Sequence, residues 1–191
     1  MSPYCQRIIF KALGLILAGC AVLMPVAAVD TSAAEPDREA VPPSDVRAVP
    51  TKNSWVHLYF SGRNSFYLMA EQRAVLHPDN PQALASTIVN ALIKGPQKGL
   101  LKTIPVGTRL NALYIAPDGT CYVDLSAAIR KNHPGGSKSE LLTIYSLVNS
   151  LVLNVPEVER IQFLIDGSEA PTLAGHIDLQ LPIKANMLLT R

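Results

Sequence analysis

The sequence predicts an α+β domain in which a mixed or antiparallel sheet carries two main helices packed on one face. Three observations predict this class. Apolar residues alternate in short segments that end at turn residues, they recur at helical spacing in two longer segments, and the strand-like segments come in pairs around those helices. A doubly wound parallel sheet would instead alternate single strands with helices. The predicted order is β-β-α-β-β-α-β-β.

The individual elements follow from periodicity and turn residues. The first strand is rich in aromatic and β-favouring side chains and ends at Ser61-Gly62. Pro117-Asp118-Gly119 predicts the tight turn of a β-hairpin, and Asp166-Gly167 predicts the turn after a later strand. The predicted strands cover residues 55–60, 66–75, 108–116, 120–125, 158–165 and 176–181.

Capping residues predict the ends of the two helices. Asp79-Asn80-Pro81 places a capping side chain before a proline, and Gly95-Pro96 ends that helix. Ser137 and Glu140 form a predicted capping box for the second helix, which Pro156 stops. A wide apolar stripe predicts that the second helix is the more buried one. That stripe consists of Leu141, Ile144, Tyr145, Val148, Leu151 and Val152, with Leu142 and Leu147 beside it.

Short motifs across residues 56–181 carry a family resemblance. The first group is Lys94-Gly95-Pro96, Gly99-Leu100, Ile104-Pro105-x-Gly107-Thr108 and Tyr122-Val123-Asp124-Leu125-Ser126. The second group is Gly136-Ser137, Glu140, Thr143-x-Tyr145-Ser146-x-Val148-Asn149, Gln162-Phe163-Leu164-Ile165-Asp166-Gly167 and Gly175-His176. In this order they resemble the GerMN domain of bacterial sporulation and germination proteins.

The resemblance implies a GerMN fold similar to the ring-building motifs of envelope assemblies. It also implies an exported, often lipid-anchored protein with a binding or assembly role. The expected partners are an envelope protein, further copies of the chain or peptidoglycan, and neither a cofactor nor an enzymatic activity is expected. The chain carries one such domain, where the sporulation member of the family has two.

A targeting segment is predicted at residues 1–29. Arg7 and Lys11 precede an uncharged, mostly apolar run over residues 12–29, which is the order found in secretory signals and membrane anchors. Leu17-Ala18-Gly19-Cys20 is similar to a lipobox, which makes Cys20 a lipidation candidate. Cleavage after Val26-Ala27-Ala28 and retention of the run as an uncleaved anchor are the alternatives. Each outcome places the rest of the chain outside the cytoplasm.

A linker is predicted between this segment and the domain. Residues 30–53 contain four prolines and no Leu, Ile, Phe or aromatic residue, so they have too little apolar surface to fold. An extended proline-rich chain rises about 3.1 Å per residue and could hold the domain up to roughly 70 Å from a membrane. Residues 54–191 then form the single GerMN domain.

Composition excludes some functions. The 17 basic and 15 acidic residues nearly balance, so the chain lacks the strong positive field that nucleic acid binding needs. Cys5 and Cys20 lie in the targeting segment, which leaves Cys121 unable to form a disulfide within the domain and predicts that it is simply packed in the core.

Several polar residues are candidates for chemistry. A wall-glycan hydrolase needs two carboxylates, but Glu140 is predicted to be a cap, Asp166 a turn residue, and Asp124 to precede a short helix near Leu125-Ser126. His176 and Asp178, two positions apart on a predicted strand, lack a third metal ligand. We therefore predict structural roles for these residues, including Asp178, and no catalytic or metal site.

Two further sets of residues are candidates for contacts. Lys94, Lys98, Lys102 and Arg109 make the loop around residues 95–107 basic, so it is a candidate contact for an acidic partner, wall polymer or anionic lipid. Aromatic side chains that could stack on the sugars of peptidoglycan are Trp55, Tyr114 and Tyr122.

Overall fold

The computed structural model describes residues 53–63, 66–76, 78 and 80–191. The predicted targeting segment with Cys20 and all of the predicted linker except Asn53 lie outside these residues.

The described residues form strands and helices in nearly the predicted order. The short helix expected after Asp124 forms at residues 128–131, and short C-terminal strands are the additions. The elements are β1 (Asn53–Ser61), β2 (Leu68–Leu76), α1 (Pro81–Lys94), β3 (Leu110–Ile115), β4 (Thr120–Leu125), α2 (Ala128–Lys131), α3 (Ser137–Asn154), β5 (Arg160–Ile165), β6 (Ser168–Glu169) and β7 (Ile183–Lys184), followed by a 3-10 turn at Met187–Leu189.

The strands form two sheets. Strands β1 and β2 make an antiparallel ribbon whose register runs from Asn53 opposite Leu76 to Ser61 opposite Leu68. The second sheet has five strands in the order β3-β4-β5-β6, with β7 also paired to β5. Strands β4 and β5 are parallel and the other pairs are antiparallel, so the predicted α+β class with a mixed sheet and two main helices is confirmed.

One main apolar cluster joins the sheets and the two long helices. Helix α1 contacts β1 and β3, and helix α3 contacts α1, β1 and β5. Helix α3 buries ten residues against six in α1, which confirms that it is the more buried helix. Leu141 of the predicted stripe is only half-buried, whereas Leu142 and Leu147 beside it are buried.

The predicted start of α1 is confirmed. Asn80 Oδ1 accepts a hydrogen bond from Gln82 N at 2.8 Å, and Pro81 occupies the first helical position. Gly95 ends the helix at a φ of 97°, a left-handed conformation that favours glycine.

The predicted capping box of α3 is wrong. Gly136, with a φ of 84°, occupies the N-cap position and makes no side-chain cap, so Ser137 is the first residue of the helix. Glu140 does not reach back to the helix start. Its side chain is 0% exposed and points to residues 173–177, where four main-chain N–H groups donate to it, whereas a capping box would supply one.

The predicted strand over residues 176–181 is also wrong. This segment lies in bends with one isolated bridge, between Thr172 and Asp178, and a short strand forms only at Ile183–Lys184. The N–H groups of a regular strand alternate in direction, whereas four N–H groups from residues 173–177 converge on one carboxylate. The Glu140 carboxylate therefore takes the place of the main-chain hydrogen bonds that a neighbouring strand would supply.

Candidate functional site

Glu140 organises the main chain of residues 173–177. Its Oε1 accepts hydrogen bonds from the N–H groups of Leu173 (3.0 Å), Ala174 (2.8 Å) and Ile177 (3.3 Å). Its Oε2 accepts from the N–H of His176 at 2.9 Å and lies 3.0 Å from His176 Nδ1. We call this arrangement the carboxylate clamp.

The clamp determines the charge of Glu140. Burial by itself raises the pKa of this carboxyl group, but the hydrogen bonds from Ala174, Ile177 and His176 more than offset burial, so the pKa lies below its usual value. Glu140 is therefore an ionised structural group, since its hydrogen-bonding capacity is taken up within the fold.

The other carboxylate candidates also hold main chain. Asp124 Oδ1 accepts from Gly167 N at 2.9 Å, and Asp166 Oδ1 accepts from Ala127 N at 3.1 Å. Asp178 Oδ1 accepts from Gln180 N at 2.8 Å and is not the partner of His176. Within the part of the chain that the structure describes, no three His, Cys, Asp or Glu residues group as a metal site requires.

Cys121 is fully buried in strand β4. Burial raises the pKa of its thiol to about 12, so almost none of it is the reactive thiolate at neutral pH. The predicted packing role of Cys121 agrees with this environment.

Helix α3 closes the free edge of strand β1, an interaction that the sequence analysis missed. Ser146 Oγ donates to Tyr59 O at 2.6 Å, and Ser150 Oγ accepts from Tyr59 N at 3.0 Å. Asn154 bonds both main-chain groups of His57, accepting from N at 2.9 Å and donating to O at 2.8 Å. The three side chains lie four residues apart and so share one helix face. Their spacing in a mostly apolar helix was the available signal.

The outer face of the β1-β2 ribbon remains exposed. The register places Trp55 beside Ala74 and His57 beside Gln72 on the face opposite to the core. Trp55 is 66% exposed and Leu76, on the same face, is 61% exposed. We call these five residues the ribbon face; none of them is Lys, Arg, Asp or Glu.

The outer edge of β2 borders this ribbon face. Among the described residues, main-chain pairing to that edge is confined to its Leu68 end, where Arg191 N donates to Leu68 O at 2.9 Å and Thr190 forms a bridge. The rest of β2 has β1 on one side and offers its other side as an open strand edge.

The four predicted contact cations are all exposed. Lys102 lines a groove with Leu101 and Val106, whereas Arg109 lines the adjoining concavity with Lys131 and Asp166. The remaining two, Lys94 and Lys98, lie before and after Gly95.

The aromatic candidates are also divided between two surfaces. Tyr114 and Tyr122 are cross-strand neighbours on the second sheet, and both are exposed. Trp55 belongs to the ribbon instead.

None of the helices formed by residues 53–63, 66–76, 78 and 80–191 has the length and apolar content needed to cross a bilayer.

Comparisons with known proteins agree with this fold. The family model "Germane: Sporulation and spore germination" matches residues 27–171. A crystal structure of a candidate lipoprotein from Clostridium perfringens is 24% identical over 73% of this chain and 93% of its own, with a TM-score of 0.51. The first GerMN domain of the sporulation protein GerM from Bacillus subtilis is 17% identical over 70% of this chain and 98% of its own, with a TM-score of 0.56.

The tandem GerMN domains of the same Bacillus subtilis protein are 18% identical, with a TM-score of 0.55. That match covers 69% of this chain and 46% of the tandem structure. A search of curated proteins gives no match.

Proposed function

This chain belongs to the Germane family of sporulation and spore germination domains, and we propose that it is a non-catalytic envelope module that binds another protein or further copies of itself. The candidate lipoprotein among its structural relatives supports an extracytoplasmic position for this chain as well. The predicted N-terminal segment would tether it to the membrane as a lipoprotein or by an uncleaved anchor; cleavage after residue 28 would instead release it.

The observation that carries the proposal is the ribbon face beside the open edge of β2. Trp55 and Leu76 expose large apolar side chains, and the neighbouring positions Ala74 and Gln72 are small or neutral. Exposed apolar surface next to unpaired main-chain groups suits a partner that adds a strand, because main-chain bonds supply affinity and side-chain contacts supply specificity.

The closure of β1 limits how a partner can approach. Because Ser146, Ser150 and Asn154 occupy the main-chain groups of β1, a strand added to the ribbon would pair with β2. A non-catalytic role is supported by the candidate carboxylates Asp124, Glu140, Asp166 and Asp178, which all accept main-chain hydrogen bonds within the fold.

Cross-linking in the native cells tests the proposal. The full-length protein would carry a photo-cross-linking residue at Gln72, and a matched protein would carry it at Gln180, which is exposed but lies outside the ribbon face. We expect specific protein adducts at position 72 and few at position 180. Equal labelling at the two positions, or labelling at neither, would contradict the proposal.

A substitution supplies the second arm of this test. Gln72→Arg should reduce partner recovery, because it places a charge in the uncharged ribbon face, and Gln180→Arg is the control of equal charge. Adducts with a different protein indicate an adaptor, whereas adducts only with the chain itself indicate self-assembly.

The alternative function is a peptidoglycan-binding module or an accessory of wall hydrolysis. The exposed Tyr114-Tyr122 pair favours this alternative, because two adjacent aromatic rings can stack on sugars. Sedimentation of the full-length protein with purified sacculi tests it. If the alternative holds, the protein sediments with the sacculi and Tyr122→Ala releases it; a pure protein adaptor stays in the supernatant.

A further inference from the structure

A second exposed surface lies where the ribbon turns from β1 to β2. Phe66 in this turn is 71% exposed, and Val106 in the loop before β3 is 74% exposed. Leu101 of the same loop is also exposed and exchanges two main-chain bonds with Ser61, the last residue of β1, at 2.8 and 3.2 Å. The turn and the loop therefore form one continuous surface.

Four basic side chains accompany these apolar ones. Lys138 Nζ lies 3.9 Å from the centroid of the Phe66 ring, and Arg63 Nε donates to Gly99 O at 3.0 Å. Lys98 and Lys102 are exposed on either side of Gly99 and Leu101. We call the set the turn surface; it consists of Arg63, Phe66, Lys98, Leu101, Val106, Lys102 and Lys138.

Two acidic groups close to this surface, Glu71 and Glu140, are already engaged within the fold. Glu71 is buried, pairs with Arg73 and accepts from Gln97 N at 2.8 Å and Lys98 N at 2.9 Å. Glu140, one helical turn from the start of α3, is held in the carboxylate clamp. The cations of the turn surface therefore keep a net positive field.

One group of exposed acidic side chains follows the far end of helix α3. Lys138 lies in the first turn of helix α3. The 18 residues of this helix rise about 27 Å, and Glu157 and Glu159 follow its other end. Asp118 lies at the same end as Glu159, because Arg160 contacts both carboxylates. An acidic group of side chains thus lies about one helix length away from the basic, apolar turn surface.

We propose that the turn surface docks onto an anionic lipid bilayer. Apolar side chains that enter the interface, surrounded by Lys and Arg that remain at the headgroups, are the combination that holds a peripheral protein on anionic lipid. The long stems of Lys98, Lys102 and Lys138 allow their charges to reach the headgroup level while Phe66 and Val106 insert.

Main-chain pairing favours lipid over an acidic peptide. The main-chain groups of Ser61 and Leu101 bond each other, Gly62 N donates to Tyr67 O, and Thr108 N donates to Pro105 O. An incoming strand would find these groups occupied, whereas a bilayer requires no main-chain partner. This contact is independent of a protein bound at the ribbon face.

Tryptophan quenching tests the proposal in the full-length protein. The chain has one tryptophan, Trp55, so a Trp55→Phe, Phe66→Trp variant reports on the turn surface and the unaltered protein reports on the ribbon face. Trp55 lies six residues before the end of β1, about 20 Å from the turn at the usual rise per residue. Both proteins would be reconstituted with vesicles carrying a quencher on the acyl chains, made either of phosphatidylglycerol or of phosphatidylcholine.

We expect the tryptophan introduced at position 66 to be quenched in phosphatidylglycerol vesicles at low salt and to lose that quenching at high salt, because salt screens the headgroup attraction. Lys98→Glu should weaken docking by about fivefold or more, since it reverses a charge at the surface. Lys184→Glu, which changes net charge equally at an exposed site on β7, should have little effect.

Three results would overturn the proposal. They are absence of quenching at position 66, equal quenching in phosphatidylcholine, and equal quenching of Trp55 in the unaltered protein. Val106→Trp in the Trp55→Phe background provides a second reporter if the Phe66 variant folds poorly. Protein adducts from a cross-linker at position 66 without lipid quenching would indicate an acidic protein partner instead. Gln72→Arg should leave quenching unchanged, so the two proposals can fail separately.

Discussion

At the residue scale, Glu140 shows how one buried charge can define a loop. Several convergent N–H donors need an acceptor once they leave water, and a carboxylate supplies stronger hydrogen bonds than a neutral group does. The irregular path of residues 173–177 and the burial of Glu140 therefore depend on each other.

Replacing Glu140 by glutamine tests this interpretation. The amide has a similar size, but it has one acceptor oxygen and adds donors where N–H donors already point, so Glu140→Gln should lower the free energy of unfolding by about 2–3 kcal/mol. Urea unfolding measures the change. Asp178→Asn at an exposed site is the matched control, with an expected loss below about 1 kcal/mol, and equal losses would contradict the role of Glu140.

The same carboxylate makes stability depend on pH. The pKa of Glu140 lies below its ordinary 4.5 in the folded chain, so the unfolded chain binds the proton more tightly. The stabilisation of the fold by ionised Glu140 is therefore complete above about pH 4.5, and it is lost as the pH falls through the lower pKa of Glu140 in the folded chain. Glu71, whose pKa is also lowered, contributes in the same direction.

Urea unfolding between pH 7 and pH 3 measures this dependence. Stability should be nearly flat down to about pH 5 and then decline, and Glu140→Gln should decline less steeply because one of the linked groups is gone. An unchanged slope in the variant would assign the acid sensitivity to other carboxylates.

At the element scale, α3 acts as a neighbouring strand for β1. Ser146, Ser150 and Asn154 replace a sheet ladder with side-chain bonds, so a helix closes an edge that would otherwise invite pairing. The helix does this while its apolar residues fill the core, which explains why so much of its surface is buried.

Removing the hydrogen-bonding group of one of these three side chains should lower the stability of the fold. Ser150→Ala leaves the buried N–H of Tyr59 without its acceptor and should cost about 1–3 kcal/mol of unfolding free energy. Ser86→Ala on α1 is the control, because that hydroxyl bonds only a carbonyl of its own helix. Thermal or urea unfolding separates the two variants, and equal stability would contradict the edge-closing role.

The elements that the sequence predicts are those determined by residues close together in the chain. The start and end of α1, the β3-β4 hairpin and the extent of α3 follow from neighbouring residues, so caps, turns and periodicity were sufficient. The carboxylate clamp spans 33–37 positions and the closure of β1 spans 87–97. The sequence pattern therefore assigned Glu140 to a plausible local cap, whereas tertiary donors hold it elsewhere.

The same distinction applies to the candidate contacts. Exposure of the basic loop could be predicted from its composition, because charged loops are normally solvated. Its association with Phe66 and Lys138 could not, since those residues come from a turn and a helix start that only the folded chain brings together.

At the scale of the whole molecule, three surfaces have different chemistry. The ribbon face is uncharged and adjoins an open strand edge, the turn surface is basic and apolar, and the end near Glu157 and Glu159 is acidic. A membrane tether would hold the domain where the turn surface and the ribbon face can act together, because linkage raises the effective concentration of a weak second contact.

The nature of that tether is the last prediction. Lipidation at Cys20 predicts that globomycin or Cys20→Ala leaves the precursor uncut, because cleavage before this residue needs the lipid-modified thiol. Cys5→Ala is the matched control and should be processed normally, since Cys5 precedes the apolar run. The size and membrane fraction of each full-length variant would be followed in cells. Processing that persists in Cys20→Ala would favour cleavage after Ala28, whereas absence of processing in every protein would favour an uncleaved anchor over residues 12–29.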